Sequence, residues 1–171
     1  RRFLWLFAAG AIAAMVIALI RLTIPLSMQM LDFSDSAIVS LTTVAGLLTI
    51  PLALFYGRLS DSLGKKEILG WRYLLLVVSS LVLISATSLW HFWAAWLLIF
   101  ATKIMSGSIS RALVTDILPP SAVTTGLNRY EAGCSLAGMF GSIVAGYLID
   151  LVDAPVIYAI ASLGAAIALY T

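Results

Sequence analysis

The fold is decided by the stretch Gly57-Arg58-Leu59-Ser60-Asp61-Ser62-Leu63-Gly64-Lys65-Lys66, the densest cluster of charged and turn-forming residues in the chain. The apolar run before it, residues 37–56, contains no charged side chain, and neither does the run after it, residues 73–89. Each run is long enough for one membrane crossing, because a hydrocarbon core of roughly 30 Å needs about 20 helical residues. We therefore expect the charged stretch to be a short loop between two membrane-spanning helices.

The composition of the whole chain agrees with this interpretation. Hydrophobic residues make up 62% of the 171 positions and charged residues only 11%, whereas soluble domains carry about 25% charged residues. A soluble protein of this size cannot bury so much apolar surface. The sequence predicts an all-α membrane protein with one six-helix bundle over residues 1–171. Turn signals place the six spans at residues 3–29, 36–58, 68–88, 92–115, 124–149 and 155–171. The third span is aliphatic beyond Arg72 and is expected to face lipid.

The placement of charge predicts the orientation. In a six-span serpentine the basic residues at the N-terminus and around the charged stretch fall on one side, and the loops of the other side carry Asp32, Asp35, Asp150 and Asp153 without lysine or arginine. By the positive-inside rule, both termini and the charged stretch are cytoplasmic. We expect an integral, multi-pass protein of a plasma membrane or a bacterial inner membrane.

The charged stretch resembles the signature of the major facilitator superfamily, written G-x-L-(a/s)-D-r-x-G-r-(r/k), in the loop between the second and third helices of a six-helix half. The matching residues are Gly57, Leu59, Asp61, Gly64, Lys65 and Lys66, and Ser62 replaces the usual basic residue. The resemblance implies that the whole chain is one half, built from 3+3 inverted repeats, of a twelve-helix transporter. Its partner would be the other six-helix half, in the same full-length chain or in a second subunit.

Two further motifs resemble the family with departures. Residues 103–107 have Lys103 where the family's fourth helix often has arginine, and residues 138–146 keep the glycines of its fifth helix but lack the proline that antiporters carry. These departures weaken an antiporter assignment. Together with the Arg1-Arg2 start and the end of the sequence at the last span, they favour the C-terminal half over the N-terminal half.

A cytoplasmic gate is the role that the resemblance implies for the charged stretch. Gly57, Asp61 and Lys65 recur every four residues, so on a helix they would share one face. In the family, the position of Asp116 supplies the partner of Lys65, and Asp61 would accept hydrogen bonds from a helix N-terminus of the other half. Gly64 belongs to the same motif. The alternative is a solvated loop whose charges only set the topology.

Lys103 is the candidate cavity residue. It lies near the middle of the fourth span, where a lysine facing lipid costs about 2.5–3.5 kcal/mol. Ser106 and Ser110 continue its face of the helix, and Arg21 is the other basic residue inside a span. Since no span has an aspartate or glutamate at its middle, either the substrate is anionic or the other half supplies a carboxylate. The alternative is a purely structural pairing of Lys103 with that half.

Small residues of the fifth span form two rows at helical spacing. One contains Gly133 and Gly141, and the other contains Gly138 and Gly146. Such rows let helix backbones approach closely in lipid. We expect them to meet the other half, with packing inside the bundle as the alternative. The three tryptophans Trp90, Trp93 and Trp96 are expected to form an aromatic belt.

The predicted function is secondary active transport of a small solute by alternating access. Arg21 and Lys103 favour anionic or amphipathic compounds as substrates. The alternative is a non-transporting protein of the same fold that serves as a subunit or assembly factor of a larger membrane complex. Catalytic, cofactor-binding and metal-binding constellations are absent from the sequence, so we expect neither an enzyme nor a cofactor or metal site. The basic residues follow membrane topology, which predicts no nucleic-acid partner. The expected partners are the lipid bilayer, the other half and the small-molecule substrate.

Overall fold

The computed structural model describes residues 2–170, and at residues 49, 50, 57, 60, 61, 106 and 108 it describes the backbone only. This part of the chain forms six α-helices with short connections, and a 3-10 turn at Pro120–Ala122. The α-helices are α1 (Arg2–Met30), α2 (Asp35–Leu63), α3 (Lys65–Ile84), α4 (Leu89–Ile117), α5 (Val123–Leu151) and α6 (Ala154–Tyr170).

Four stretches of the described chain are long and apolar enough to cross a membrane. They are α1, α3, α4 and Pro120–Leu151, which contains α5. The described apolar part of α2, Asp35–Leu48, and the 17-residue α6 are shorter. Length and composition therefore support four of the six predicted crossings, and the crossings by α2 and α6 stay predictions.

The helices pack in pairs that follow an internal symmetry. The main pairs are α1 with α5, α1 with α6, α2 with α4, α3 with α4, and α3 with α6. If the first three helices are exchanged in order with the last three, the same set of pairs results. The pair of α1 and α5 becomes the pair of α4 and α2, and the pair of α1 and α6 becomes the pair of α4 and α3. The pair of α3 and α6 is unchanged. The largest core cluster, which includes Ile20, Ile24, Leu76 and Tyr158, has buried members from all six helices. The Tyr158 hydroxyl and the Ser27 hydroxyl are hydrogen-bonded at 2.8 Å inside this cluster.

The expectation that α3 faces lipid describes only its outer side, where several large apolar side chains are exposed. This helix packs between α4 and α6 and buries polar side chains. The hydroxyls of Ser79 and Ser80 are buried and donate to the Leu76 carbonyl at 2.8 and 2.9 Å, so they need no partner outside the helix. Arg72 and Tyr73 are buried as well. The aliphatic composition of α3 hides a well-packed inner face.

The charged stretch is not a loop, contrary to the expectation from the sequence. α2 continues to Leu63 and α3 begins at Lys65, so Gly64 is the single residue between them. Gly64 has φ +93°, a left-handed backbone conformation that L side chains rarely adopt. Glycine therefore lets the chain reverse direction between two long helices without a longer loop. Gly57 and Asp61 lie outside the described side chains.

The glycines of α5 divide into a packed row and an open row. A methyl group at Gly141 would overlap the backbone of Met15 on α1, and one at Gly133 would overlap the Phe7 ring. At Gly138 the nearest atom would be the Ala14 carbonyl oxygen, at 3.9 Å, and at Gly146 nothing lies within 4 Å. The first row thus packs against α1 inside the bundle, and the expectation that it meets the other half is wrong. Gly146 packs against no described residue.

We expect Gly141→Ala to destabilise the protein, because the added methyl group must push the α1 and α5 backbones apart. Overpacking of this kind costs typically about 1–3 kcal/mol. The matched control is Gly146→Ala, which places the same methyl group in open space and improves helix propensity. Thermal melting of the purified protein in detergent measures both variants. Equal melting temperatures for the two variants would contradict the close α1–α5 contact.

Candidate functional site

A cleft of about 500 Å³ separates α4 from the packed pair α1 and α5. Its lining is contributed mainly by these three helices, and Arg72 of α3 also reaches it. The charged residues that line it are Arg21, Arg72, Lys103, Arg111 and Glu131. Four basic side chains thus face one carboxylate, which makes the cleft a region of positive potential. A water-filled or protein-enclosed cleft is the environment in which intramembrane charges are tolerated.

Arg21 and Lys103 are the two basic residues that the sequence places inside spans, and the structure brings both to this cleft. Lys103 is the central residue of α4, fourteen residues from Leu89 and fourteen from Ile117. Both side chains are exposed, and neither forms an ion pair with another described residue.

A smaller cleft of about 160 Å³ adjoins the same two cations. Trp96 and Phe100 of α4 contribute aromatic walls, and Thr42 of α2 contributes a hydroxyl. Trp96 is buried, whereas Trp90 is 81% exposed. The prediction of a belt of three tryptophans is therefore wrong for Trp96, which lies beside the cationic residues instead. Apolar walls next to cations suit a ligand with both an apolar body and a negative charge.

Arg72 is the buried member of the cationic set. It is 4% exposed, and its guanidinium lies over the Tyr73 ring, with Cζ 5.2 Å from the ring centroid. A cation–π contact of this kind contributes about 0.5–2 kcal/mol. This compensates only part of the desolvation of a buried charge, which costs several kcal/mol. Its Nε and Nη1 atoms have no hydrogen-bond partner among the described residues.

Ser110 and Arg111 occupy the cleft on the Ile117 side of Lys103. The Ser110 side chain is buried, and its hydroxyl makes no hydrogen bond of normal geometry within the described part of the chain. Arg111 Nε lies 2.7 Å from Glu131 Oε1, which joins α4 to α5 across the cleft. Both partners are about half exposed, so the pair is worth at most about 1 kcal/mol. Ser106, predicted on the same face, lies outside the described side chains.

A second ion pair lies at the end of the bundle where α4 finishes. Lys65 Nζ is 2.6 Å from Asp116 Oδ2, which joins the first residue of α3 to the last turn of α4. The structure thus brings together the two residues that the sequence motif pairs. The side chains are 41% and 53% exposed, so this contact too is worth at most about 1 kcal/mol.

Comparison with known proteins identifies the family. Residues 6–171 match the family described as the Major Facilitator Superfamily. The chain belongs to this superfamily. It is 28% identical over 151 residues to the inner membrane transport protein YnfM of Escherichia coli strain K12. The match covers 85% of this chain and 35% of that protein, so the chain spans about a third of the length of this curated relative.

Membership of the major facilitator superfamily makes the chain a transmembrane protein and supports the motif assignment of the charged stretch. Of the predicted gate residues, Gly64, Lys65 and Asp116 lie together at one end of the bundle. Of the predicted cavity residues, Arg21, Lys103 and Ser110 share one cleft. The roles of all these residues in gating and binding remain proposals.

Sequence reasoning missed two features of the cleft. It grouped Arg72 with the topology-setting charges, because the basic residues before it are close in sequence. Its position eight residues into α3, two helical turns beyond the helix start, was the available signal. It also did not find the ion pair between Glu131 of α5 and Arg111 of α4. Nothing in the sequence spacing links residues 111 and 131.

We expect Gly64→Ala to lower the melting temperature, because a side chain at φ +93° costs roughly 1–2 kcal/mol. The added methyl group would also crowd the Glu67 carboxylate in the first turn of α3. Gly70→Ala is the control, since Gly70 is helical and a methyl group there meets nothing within 4 Å. Thermal melting in detergent should show a loss only for Gly64→Ala. A Gly64→Ala variant as stable as wild type would show that the one-residue turn tolerates a side chain.

Proposed function

We propose that the chain is one six-helix half of a secondary active transporter that moves a small organic anion, or an amphipathic solute with an anionic group, by alternating access. The observation that carries the proposal is the cationic cleft. Four basic side chains line it, and its one lining carboxylate is already engaged by Arg111. An anionic solute would compensate charges that are costly to leave unpaired inside a bilayer.

The chemistry of recognition follows from the two cations and their neighbours. Lys103 and Arg21 would bind the anionic group, because both lack an ion-pair partner in the described chain. Trp96 and Phe100 line the adjoining cleft and would contact an apolar part of the same solute. Aromatic surfaces bury large areas and also attract cations and π-systems, so they suit amphipathic organic compounds.

The half-transporter architecture rests on three lines of support. The family match covers residues 6–171, the packing pairs follow a 3+3 exchange, and the chain corresponds to 35% of the length of the transport protein YnfM. The other half, in the same full-length chain or a second subunit, would close the cleft. By analogy with that relative we place the protein in a bacterial inner membrane, with both termini cytoplasmic by the positive-inside rule. The C-terminal half stays our preferred assignment.

The relative YnfM is a transport protein by name, and this similarity favours transport over the alternative of a non-transporting subunit. In the proposed cycle the Lys65–Asp116 pair belongs to the cytoplasmic gate, together with Gly57 and Asp61 of the motif. Rocking of one half against the other exposes the cleft alternately to the two sides. A pair that is half exposed and weak can break and reform during such a cycle.

We expect Lys103→Ala to reduce uptake at least tenfold, because the variant lacks the central cation of the cleft. The assay is counterflow into proteoliposomes that contain the full-length protein, with a panel of labelled organic monocarboxylates, dicarboxylates and organophosphates. Lys103→Arg should retain part of the uptake of any solute that the wild type transports. The control Arg129→Ala removes an exposed arginine that does not line the cleft.

Two results would contradict this proposal. Wild-type uptake of neutral or cationic solutes alone would show that the cleft does not select anions. Unchanged uptake kinetics in Lys103→Ala, with Arg129→Ala also unchanged, would remove Lys103 from the solute path.

We expect Asp116→Asn to increase access to the cleft from the cytoplasmic side, since it removes the charge that holds Lys65. Cys134 lines the cleft and provides the probe, in a variant without any other cysteine. The rate at which a membrane-impermeant maleimide labels it in inside-out vesicles should increase about two- to fivefold. This factor corresponds to the loss of an ion pair worth up to about 1 kcal/mol. The control is Asp150→Asn, because Asp150 lies in the last turn of α5, at the end of the bundle away from the Lys65–Asp116 pair. This variant should leave the labelling rate unchanged. An unchanged rate in Asp116→Asn would contradict the gating role of the pair.

A further inference from the structure

Arg72 presents an unsatisfied cation inside the bundle. Its side chain is 4% exposed, yet it lines the cleft between α4 and the α1–α5 pair. Two of its three guanidinium nitrogens, Nε and Nη1, have no hydrogen-bond partner among the described residues. Buried charges in proteins are normally paired, and an arginine is always protonated. A partner for this guanidinium must therefore come from outside the described chain.

The carboxylate that lines the cleft does not provide this partner. Glu131 is held by Arg111 at 2.7 Å, and the two ion pairs of the described chain leave Arg72 out. The contact with the Tyr73 ring covers one face of the guanidinium but satisfies none of its N–H donors. The buried Ser110 hydroxyl lines the same cleft, with the Tyr130 phenol as its polar neighbour. Two helices, α3 and α4, thus each bring a buried polar side chain to this cleft.

We propose that Arg72 forms a second anion site, which binds an oxyanion, a carboxylate or a phosphate, of the transported solute. The Nε–H and Nη1–H groups of Arg72 lie on different edges of the planar guanidinium, and each can donate a charge-assisted hydrogen bond to an oxyanion oxygen. The site differs from the one at Lys103 and Arg21, whose side chains are exposed, because the surroundings of a buried arginine limit the shape of the anion as well as its charge.

The position of the site gives it a place along the solute path. Ser110 is seven residues beyond Lys103 on α4, which is about 10 Å along the helix axis. Arg72 is seven residues beyond Lys65 on α3, which is also about 10 Å along a helix axis, so it lies at a level between Lys103 and the gate pair Lys65–Asp116. An anionic group leaving Lys103 towards that end of the bundle would meet Arg72 before the gate. The assignment of the oxyanion to a solute rests on the proposed function, whereas the anion site itself can be tested without transport.

The test measures anion binding by the purified full-length protein in detergent. Sodium sulfate, inorganic phosphate and succinate are titrated against sodium chloride at matched ionic strength, and the melting temperature is recorded. We expect at least one of the three oxyanions to raise the wild-type melting temperature by about 5 °C at saturation, because it binds the folded state. Arg72→Met should reduce this shift below about 1 °C, and Arg72→Lys should retain part of it. Arg129→Met, the matched control, should keep the wild-type shift.

The melting temperature without added oxyanion separates the proposal from a structural role. Removing an unpaired buried charge should leave Arg72→Met as stable as wild type or more stable. A less stable Arg72→Met with no oxyanion-dependent shift in wild type would show that a carboxylate elsewhere in the full-length protein pairs with Arg72, and this would overturn the proposal.

A lipid headgroup is the other source of the same chemistry. In nanodiscs, stabilisation by phosphatidylglycerol relative to phosphatidylcholine, lost in Arg72→Met and not reproduced by soluble oxyanions, would assign the site to lipid and overturn the solute assignment. If soluble oxyanions bind at Arg72 and the labelled organic anions are not transported, the anion site stands and the transport proposal fails. The two proposals can therefore fail separately.

Discussion

A charged side chain inside a bilayer must face protein or water, and this constraint governs the arrangement of the helices. Lys103 lies at the centre of α4, Arg21 lies two thirds of the way along α1, and Arg72 lies two turns into α3. Three different helices thus bring a permanent or near-permanent positive charge into the apolar region. All three side chains line the same cleft. Their convergence is the physical reason to look for a negatively charged ligand there.

The cleft exists because the helices on its two sides are held by different contacts. On one side, Gly141 and Gly133 let α5 approach the backbone of Met15 and the ring of Phe7 so closely that α1 and α5 behave as one wall. On the other side, α4 is held by α2 and α3. Since α4 packs mainly on those helices, a gap remains between it and the α1–α5 wall. The small residues of α5 therefore shape the site without contributing chemistry to it.

The sequence predicted the positions of the helices along the chain better than it predicted which helix faces pack together. Uninterrupted apolar runs and turn residues locate helices because every backbone polar group must be satisfied within its own helix in lipid. The motif also predicted the contact between Lys65 and Asp116, which are 51 residues apart. Periodicity alone could not tell which helix the glycine row of α5 faces, because packing inside the bundle and packing against another half require the same small residues. The burial of Arg72 beside the cleft was missed for a similar reason, since a basic residue near a helix start is normally a topology signal.

The polar contacts at the end of α4 are weaker than the interactions available to Arg72 of α3, and this difference fits the proposed transport cycle. Near its Ile117 end, α4 forms two partly exposed ion pairs, Lys65–Asp116 to α3 and Arg111–Glu131 to α5. Each is worth at most about 1 kcal/mol, so both can break at little cost when one half rocks against the other. Arg72 is different, because a buried guanidinium gains much more from a bound oxyanion than an exposed one does. A transport cycle needs this combination if anion binding, and not the gate itself, is to control when the cleft opens to the other side of the membrane. The gate contacts are weak, and the buried cation in the cleft is strongly stabilised by a negatively charged ligand.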